Sequence, residues 1–354
     1  MQNLSAPASS GAATQADVPL LVVDDLRTYF RTDQGLARAV DGVSFSVRAG
    51  RTVALVGESG CGKTVTALSV LRLLPIPPAE IAGGRILLEG RGDLLRLGPR
   101  ELRRVRGGDV AMIFQEPATS LNPVYTIGQQ IAEAIRLHRL EGPQPVTHVR
   151  QEVLRVLEEV RISEPARRLR QYPHELSGGM KQRAMIAMAL ACRPRLLIAD
   201  EPTTALDVTI QARILELLRQ SQAVHRMGLL LITHDLGVVA EMAEEVVVMY
   251  AGKVVEHAAA EPLFASPAHP YTRGLFASLP RVDRRETRLR SIAGSVPPPT
   301  RLPSGCRFKD RCPLATSQCD NEPPLVEIRP GHRSACWYAE DVLAGRTTPR
   351  ESSA

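Results

Sequence analysis

Residues 57–64 read GESGCGKT; the short β-rich run TVALV precedes them and TVTALSVLRLL, with helical spacing, closes the unit from Lys63 onward. A G-x-x-x-x-G-K-[ST] loop placed between a strand and a helix constrains the fold more than any other stretch of the chain. Its glycines let backbone N–H groups converge on phosphate oxygens at a helix N-terminus. Gly57, Glu58, Ser59, Gly60, Cys61, Gly62, Lys63 and Thr64 are therefore candidate ligands of a nucleoside triphosphate. Lys63 is expected to neutralise the β and γ phosphates and the Thr64 hydroxyl to take a place on Mg2+, whereas Cys61 reads as a small filler. Lysine usage agrees: of 44 basic residues only Lys63, Lys181, Lys253 and Lys309 are lysines. Where arginine is the default, a lysine marks a position that needs a compact ammonium.

Strand-like runs recur at GRILLEG, DVAMIF, RLLIAD, GLLLITH and EEVVVMY, and the stretch between Phe114 and Arg193 changes to helical spacing. The pattern predicts an α/β fold: a nucleotide-binding core over residues 19–260, interrupted by a helical subdomain at about 116–193. Residues 1–18 read as a disordered lead, 261–340 as a small cysteine-containing C-terminal extension, and 341–354 as a flexible tail. No run approaches the roughly 18 apolar residues of a membrane span and no signal-peptide pattern opens the chain, so a cytosolic protein is expected, where disulfides are disfavoured. The net charge is +6, but from Ser266 onward fourteen Arg and Lys face nine Asp and Glu, which leaves the core near neutral. A near-neutral core argues against nucleic acid as a partner.

RLLIADEP supplies a second half to the site. Asp200 at the end of a buried strand can reach Mg2+ across from Thr64, directly or through water, and Glu201 can orient or deprotonate an attacking water. LSGGMKQR places Leu176, Ser177, Gly178 and Gly179 at a second helix N-terminus, which is either an ordinary cap or a second phosphate site.

The order GESGCGKT, IFQEP, LSGGMKQR, LLIADEP, TALD, LITHD resembles that of the ATP-binding cassette (ABC) family over residues 21–257. The resemblance implies a P-loop NTPase core with a helical subdomain, binding ATP and Mg2+. It assigns Gln115 to the glutamine that senses Mg2+ and water, a third Mg2+ ligand beside Thr64 and Asp200, Leu176 to Gly179 to the signature that contacts the γ-phosphate on an opposite subunit, and Asp207 to the D-loop aspartate. His234 matches the switch histidine, and Phe30, rather than Tyr29, the aromatic stacked on adenine. A signature that serves another subunit's ATP implies a head-to-tail dimer with an identical or related chain.

EPATSLNPVYTIGQQIAEAI, DEPTTALDVTIQARILELL and HPYTRGLFASLP are similar to the oligopeptide/dipeptide branch of importer ATPases, which extends the resemblance to residue 337. That implies a peripheral protein on the cytoplasmic face of the inner membrane, with two transmembrane permease subunits and an extracytoplasmic substrate-binding protein as partners. Ser120 to Ile127 would lie near the groove that receives the permease. Import of nickel or another small solute is an alternative with the same ATPase role; a nucleic-acid-linked cassette with a zinc module is an alternative of a different class.

Cys306, Cys312, Cys319 and Cys336 fall within 31 residues of a chain that has only two other cysteines. Metal ligation is the expected use. The short C-x2–4-C knuckles of zinc sites are missing, and Cys312-Pro313 suits a [4Fe-4S] cluster, with zinc as the alternative. The resemblance to peptide-importer ATPases implies the cluster as well. Arg307, Lys309, Arg311 and Arg333 are expected to offset its negative charge.

Overall fold

The computed structural model describes residues 18–139, 145–204, 206–278 and 292–346, so the expected lead falls almost wholly outside it. Two sheets organise the chain. The first is antiparallel, in the order β2–β1–β4–β5, from β1 (Leu21–Thr32), β2 (Gly35–Val47), β4 (Ala79–Leu88) and β5 (Gly92–Asp93). The second has eight strands: β3 (Thr52–Val56), β6 (Val110–Ile113), β7 (Leu196–Asp200), β8 (Gly228–Ile232), β9 (Glu245–Tyr250), β10 (Lys253–Ala259), β11 (Val326–Arg329) and β12 (His332–Ser334). Their order is β11–β12–β10–β9–β3–β8–β7–β6, parallel from β9 to β6.

The parallel strands are apolar on both faces because both are covered, the usual condition of such sheets. Leu230 and Ile232 of β8 pack with Ile198 of β7 against Leu26, Val40 and Ile86 of the antiparallel sheet. Their neighbours Leu229, Leu231 and Leu197 face the helical layer. That layer contains the helices Ile127–His138, Val146–Glu159 and Gly178–Leu190. The first begins where Thr126 accepts from Gln129 N–H (3.3 Å) and the Gln129 side chain accepts from Thr126 N–H (2.8 Å), a reciprocal cap that satisfies two orphan donors.

A third apolar cluster joins the core to the extension: Ala54, Val56, Val246, Val248 and Tyr250 pack with Leu263, Tyr271 and Phe308. The expected boundary near residue 260 is therefore crossed by a continuous core. β12 pairs antiparallel with β10 through Glu256↔Ser334 and His257↔Arg333, and β11 pairs with β12, so the extension adds two strands to the core sheet. The seam is polar at one buried point. Glu256, fully buried, accepts from the N–H groups of Ala268 (2.6 Å) and His269 (3.0 Å) and is bonded to His332 Nε2 at 2.7 Å. Three partners compensate the desolvation of that carboxylate. Ordered chain also continues past the point where a flexible tail was expected, in the helix Ala339–Leu343 with Val342 buried.

His269 caps the helix Pro270–Ala277: its Nδ1 accepts from Tyr271 N–H at 3.1 Å while the ring also bonds the Ala335 backbone. Burial pushes its pKa down to about 3. As pH falls below about 6.5 the unfolded chain takes up this proton while the folded chain does not. Stability at this site is thus complete above that pH and is lost at about 1.4 kcal/mol per pH unit toward lower pH. His269→Asn, which retains a capping side chain, should lose that share of the acid slope. Urea unfolding from pH 7 to pH 4 checks it, and parallel slopes for the two proteins would refute it.

Candidate active site

The phosphate loop follows β3 and ends in the helix Lys63–Val70. Two glycines are demanded by space and backbone together. Gly57 (φ 151°) and Gly62 (φ 105°) lie in the region L side chains avoid, and a Cβ would collide with the carbonyl of Met249 at the first and of Ala39 at the second. The Lys63 side chain is buried and its ammonium donates to the carbonyls of Gly57 (2.7 Å) and Glu58 (3.1 Å), so it lies along the loop. Cys61 is fully buried, and burial pushes its thiol pKa up against the opposing charge of Lys63; it packs as a small apolar group.

Asp200 ends β7 and is buried. Burial and the neighbouring Glu201 raise its pKa, opposed by a hydrogen bond from Thr64. Its Oδ1 is buried without a hydrogen-bond partner. An orphaned carboxylate oxygen beside a threonine hydroxyl and a phosphate loop fits Mg2+, a hard cation that takes oxygen ligands. Thr64 and Asp200 are the residues that would hold it.

Glu201 is where the structure gathers the catalytic candidates. Its Oε1 lies 3.0 Å from His234 Nδ1, and its Oε2 accepts from Gln115 Nε2 (3.0 Å) and Thr204 Oγ1 (2.9 Å). Burial alone would raise its pKa, but bonds to His234 and Thr204 and the nearby Lys63 outweigh it and hold the carboxyl below its usual range. It is thus ionised at neutral pH, able to accept a bond from water. Its backbone has φ 48°, a left-handed conformation that costs a non-glycine residue about 1 kcal/mol and aims the side chain at this network.

The remaining candidates stand apart. Ser177 caps the helix Gly178–Leu190, accepting from Met180 N–H (3.4 Å), with Leu176 buried and Gly178 open on its surroundings. Gly179 has no room for a side chain without displacing Ile210, 3.1 Å from its would-be Cβ. Asp207 caps the helix Val208–His225 through Ile210 N–H (2.9 Å). Among the described residues none of these is bonded to the phosphate loop. Phe30 is half-buried on β1, and Tyr29 is committed elsewhere, its hydroxyl donating to Asp41 at 2.7 Å.

Sequence reasoning missed Thr204, a loop hydroxyl, and two groups of the extension that reach the phosphate loop. Glu58 N–H donates to the Tyr271 hydroxyl (2.8 Å), and the Glu58 carboxylate pairs with Arg311. The glutamate in GESGCGKT was the available signal, since an acid on an anion-binding loop needs a cation nearby. The cations near the cysteines have other work than expected: Arg307 pairs with Asp41, Lys309 with Asp320 (2.8 Å) and Arg311 with Glu58. Burial raises the thiol pKa of Cys306, Cys312 and Cys336, and the thiols close by, that of Cys319 among them, add to the rise. As they stand, no group of three or more His, Cys, Asp or Glu among the described residues is placed to hold a metal ion.

Residues 40–204 match the ABC transporter family model, which sets the class as ATP-binding cassette ATPases. Residues 255–319 match the model for the C-terminal region of oligopeptide/dipeptide transporters. The chain is 53% identical over 92% of its length to a probable peptide ABC transporter ATP-binding protein of Sinorhizobium fredii, of which it covers 96%. It is 50% identical over 93% of its length to a dipeptide transport ATP-binding protein of Escherichia coli, covering 99%. An oligopeptide transport ATP-binding protein of Bacillus subtilis is 49% identical over 91% of the chain and covered to 97%. The chain belongs to the family of ABC transporter ATP-binding subunits that carry this C-terminal region. In fold it is similar to the dimeric cassette MJ0796 bound to ADP and Pi, with a TM-score of 0.61 at 23% identity over 68% of this chain and 98% of that one.

Gly62→Ala places a methyl group against the Ala39 carbonyl, in a backbone region alanine avoids. ATP affinity is expected to fall by about two orders of magnitude or more, because the loop N–H groups no longer converge. Equilibrium titration with ATP and Mg2+ checks it, with circular dichroism to establish that the variant is folded.

Proposed function

We propose that this chain is the ATP-hydrolysing subunit that powers import of di- and oligopeptides through a membrane ABC transporter. The observation that carries the ATPase half is the Glu201 carboxylate held at once by Gln115 and His234 at the edge of the phosphate loop. What supports the peptide half is the similarity, through both cassette and extension, to subunits named for peptide and dipeptide transport.

Lys63 and the loop N–H groups bind the triphosphate, Phe30 stacks on adenine, and Thr64 and Asp200 would hold Mg2+, which when bound would supply positive charge to offset that of the phosphates. Glu201 orients and deprotonates the attacking water, with its carboxylate steered by His234 and Gln115. The exposed Ser177 and Gly178, at the positive end of a helix dipole, complete the site for ATP on a second, related or identical cassette. Asp207, which caps the helix whose Ile210 lies against Gly179, would serve the same second site. ATP must bind the closed dimer more tightly than the open one, because only differential affinity shifts such an equilibrium.

Two permease subunits receive that closure and an extracytoplasmic binding protein delivers the cargo. No helix of the described residues is long and apolar enough to cross a membrane, consistent with a subunit that works peripherally, on the cytoplasmic face of the inner membrane. A groove of about 220 Å³ between the core and the helical layer, lined by Leu73, Phe114, His138 and Met188, supports docking of a permease segment beside Gln115.

The four extension cysteines form the donor set of a [4Fe-4S] cluster in this reading. Leu314 N–H donates to Cys312 Sγ and Tyr338 N–H to Cys336 Sγ, both at 3.4 Å, and Cys306 Sγ accepts from Phe308 and Lys309. Bonds of this kind stabilise thiolates in clusters. Burial pushes the Cys312 thiol up to about 11 and Cys336 to about 12, so ligation has to displace protons. A single zinc ion is the poorer fit, since the short C-x2–4-C knuckles usual in zinc sites are missing from this spacing.

Glu201→Gln is expected to lower ATP turnover by at least about 10² while ATP binding survives and bound dimers accumulate; full turnover by the variant sinks the assignment. Chain purified without oxygen is expected to carry iron and sulfide in equal amounts and a visible absorption band that Cys312→Ser removes. A colourless protein with one zinc per chain would overturn the cluster.

A further inference from the structure

Glu58 is an anion on a loop built to bind anions. Left free, its carboxylate would oppose the triphosphate by direct Coulomb repulsion in a partly buried site. The structure shows it turned away and clamped. Arg311 forms a two-pronged pair with it, Nη1 to Oε2 at 2.7 Å and Nη2 to Oε1 at 3.0 Å. The Arg311 side chain is only 6% exposed, against 30% for Glu58.

All five donors of that guanidinium are used. Besides the carboxylate, Nη1 donates to the Tyr250 hydroxyl (3.3 Å), Nη2 to the Ile292 carbonyl (3.3 Å) and Nε to the Ala293 carbonyl (2.8 Å). The guanidinium carbon also lies 5.7 Å and 5.9 Å from the ring centres of Tyr250 and Phe308. A planar fork satisfied at every N–H is held in one orientation, and lysine could not reproduce it. From the same side the buried Tyr271 hydroxyl accepts from Glu58 N–H at 2.8 Å, while the Glu58 carbonyl accepts from Lys63. Two residues of the extension, Tyr271 and Arg311, thus hold the backbone and the side chain of one phosphate-loop residue.

We infer that Arg311 is a positioning residue for ATP: acting through Glu58, it cancels the loop's own negative charge and sets the conformation in which Lys63 and the loop N–H groups meet the triphosphate. It touches no reacting atom. The turn Lys309–Arg311 lies between Cys306 and Cys312, so the cysteine module is built into the nucleotide site. The inference rests on the ATPase reading.

A double-mutant cycle on the full-length chain tests it, with ATP and Mg2+ titrated against wild type, Arg311→Met, Glu58→Gln and the double variant. Arg311→Met is expected to weaken ATP binding about tenfold or more, the loss of one neutralised charge pair at close range. In the Glu58→Gln background the same change should cost less than about threefold, because the charge it would expose has gone. In the assembled transporter KM for ATP should rise more than kcat falls. Equal losses in both backgrounds overturn the proposal and leave Arg311 a mere fold contact, and so does an unchanged affinity. Where Arg311→Met does not fold, Arg311→Gln, which keeps a polar side chain but removes the charge, decides by the same comparison. A wild-type chain that binds no ATP overturns the ATPase reading and this proposal together, whereas wild-type binding with an insensitive Arg311→Met overturns this proposal alone.

Discussion

The parallel register of four strands fixes the distances on which the rest depends. Leu55 of β3 and Asp200 of β7 both pair with Ile232 of β8, and Ala199 pairs with Ile113 of β6. The strands therefore stop at one level, with the phosphate loop beginning after β3, His234 two residues beyond β8, Glu201 one beyond β7 and Gln115 two beyond β6. Ligand sites of open α/β sheets lie outside such carboxyl ends. A slip of one residue in β7 would carry Asp200 to the opposite face of the sheet and pull Glu201 from its partners. Burial on both faces prevents the slip, because Leu196 and Ile198 face one apolar layer and Leu197 and Ala199 the other.

Much of this was written locally and could be read from the chain alone. The strand-loop-helix around GESGCGKT, the buried run before Asp200 and Glu201 and the helical stretch between Phe114 and Arg193 are patterns of neighbours along the chain. Gln115 and His234, assigned by resemblance, and Glu201, read from the buried strand before it, lie on three loops and meet within hydrogen-bond reach because the sheet aligns them. The left-handed backbone of Glu201 left no mark in composition, since nothing about a glutamate announces φ 48°.

What escaped was long-range pairing between polar residues. Arg311 and Glu58 are 253 positions apart, and Arg307 and Asp41 are 266 apart. In sequence Arg307, Lys309 and Arg311 cluster only with cysteines, which made the cysteines seem their natural partners. Each instead finds a carboxylate, and burial explains why: the side chains of Arg307 and Arg311 are 8% and 6% exposed, where an unpaired guanidinium would be costly. β11 and β12 escaped for a related reason. They are short, and they owe their pairing to a seam around Glu256 and His332 that no local pattern encodes.

The hairpin of β11 and β12 also decides where the large sheet stops. Without it β10, with Val254, Val255 and Ala258 buried, would be a terminal strand with a row of open N–H and C=O groups, a template for pairing with another chain. β12 covers the middle of that row, at Val255, Glu256 and His257. The strand left outermost, β11, is four residues long, exposed at Glu327 and Arg329 and preceded by Pro323 and Pro324, a poor surface for a further strand to join. The extension is therefore also a protective end-piece, and a chain cut short of it would be expected to self-associate through β10 before any question of catalysis arose.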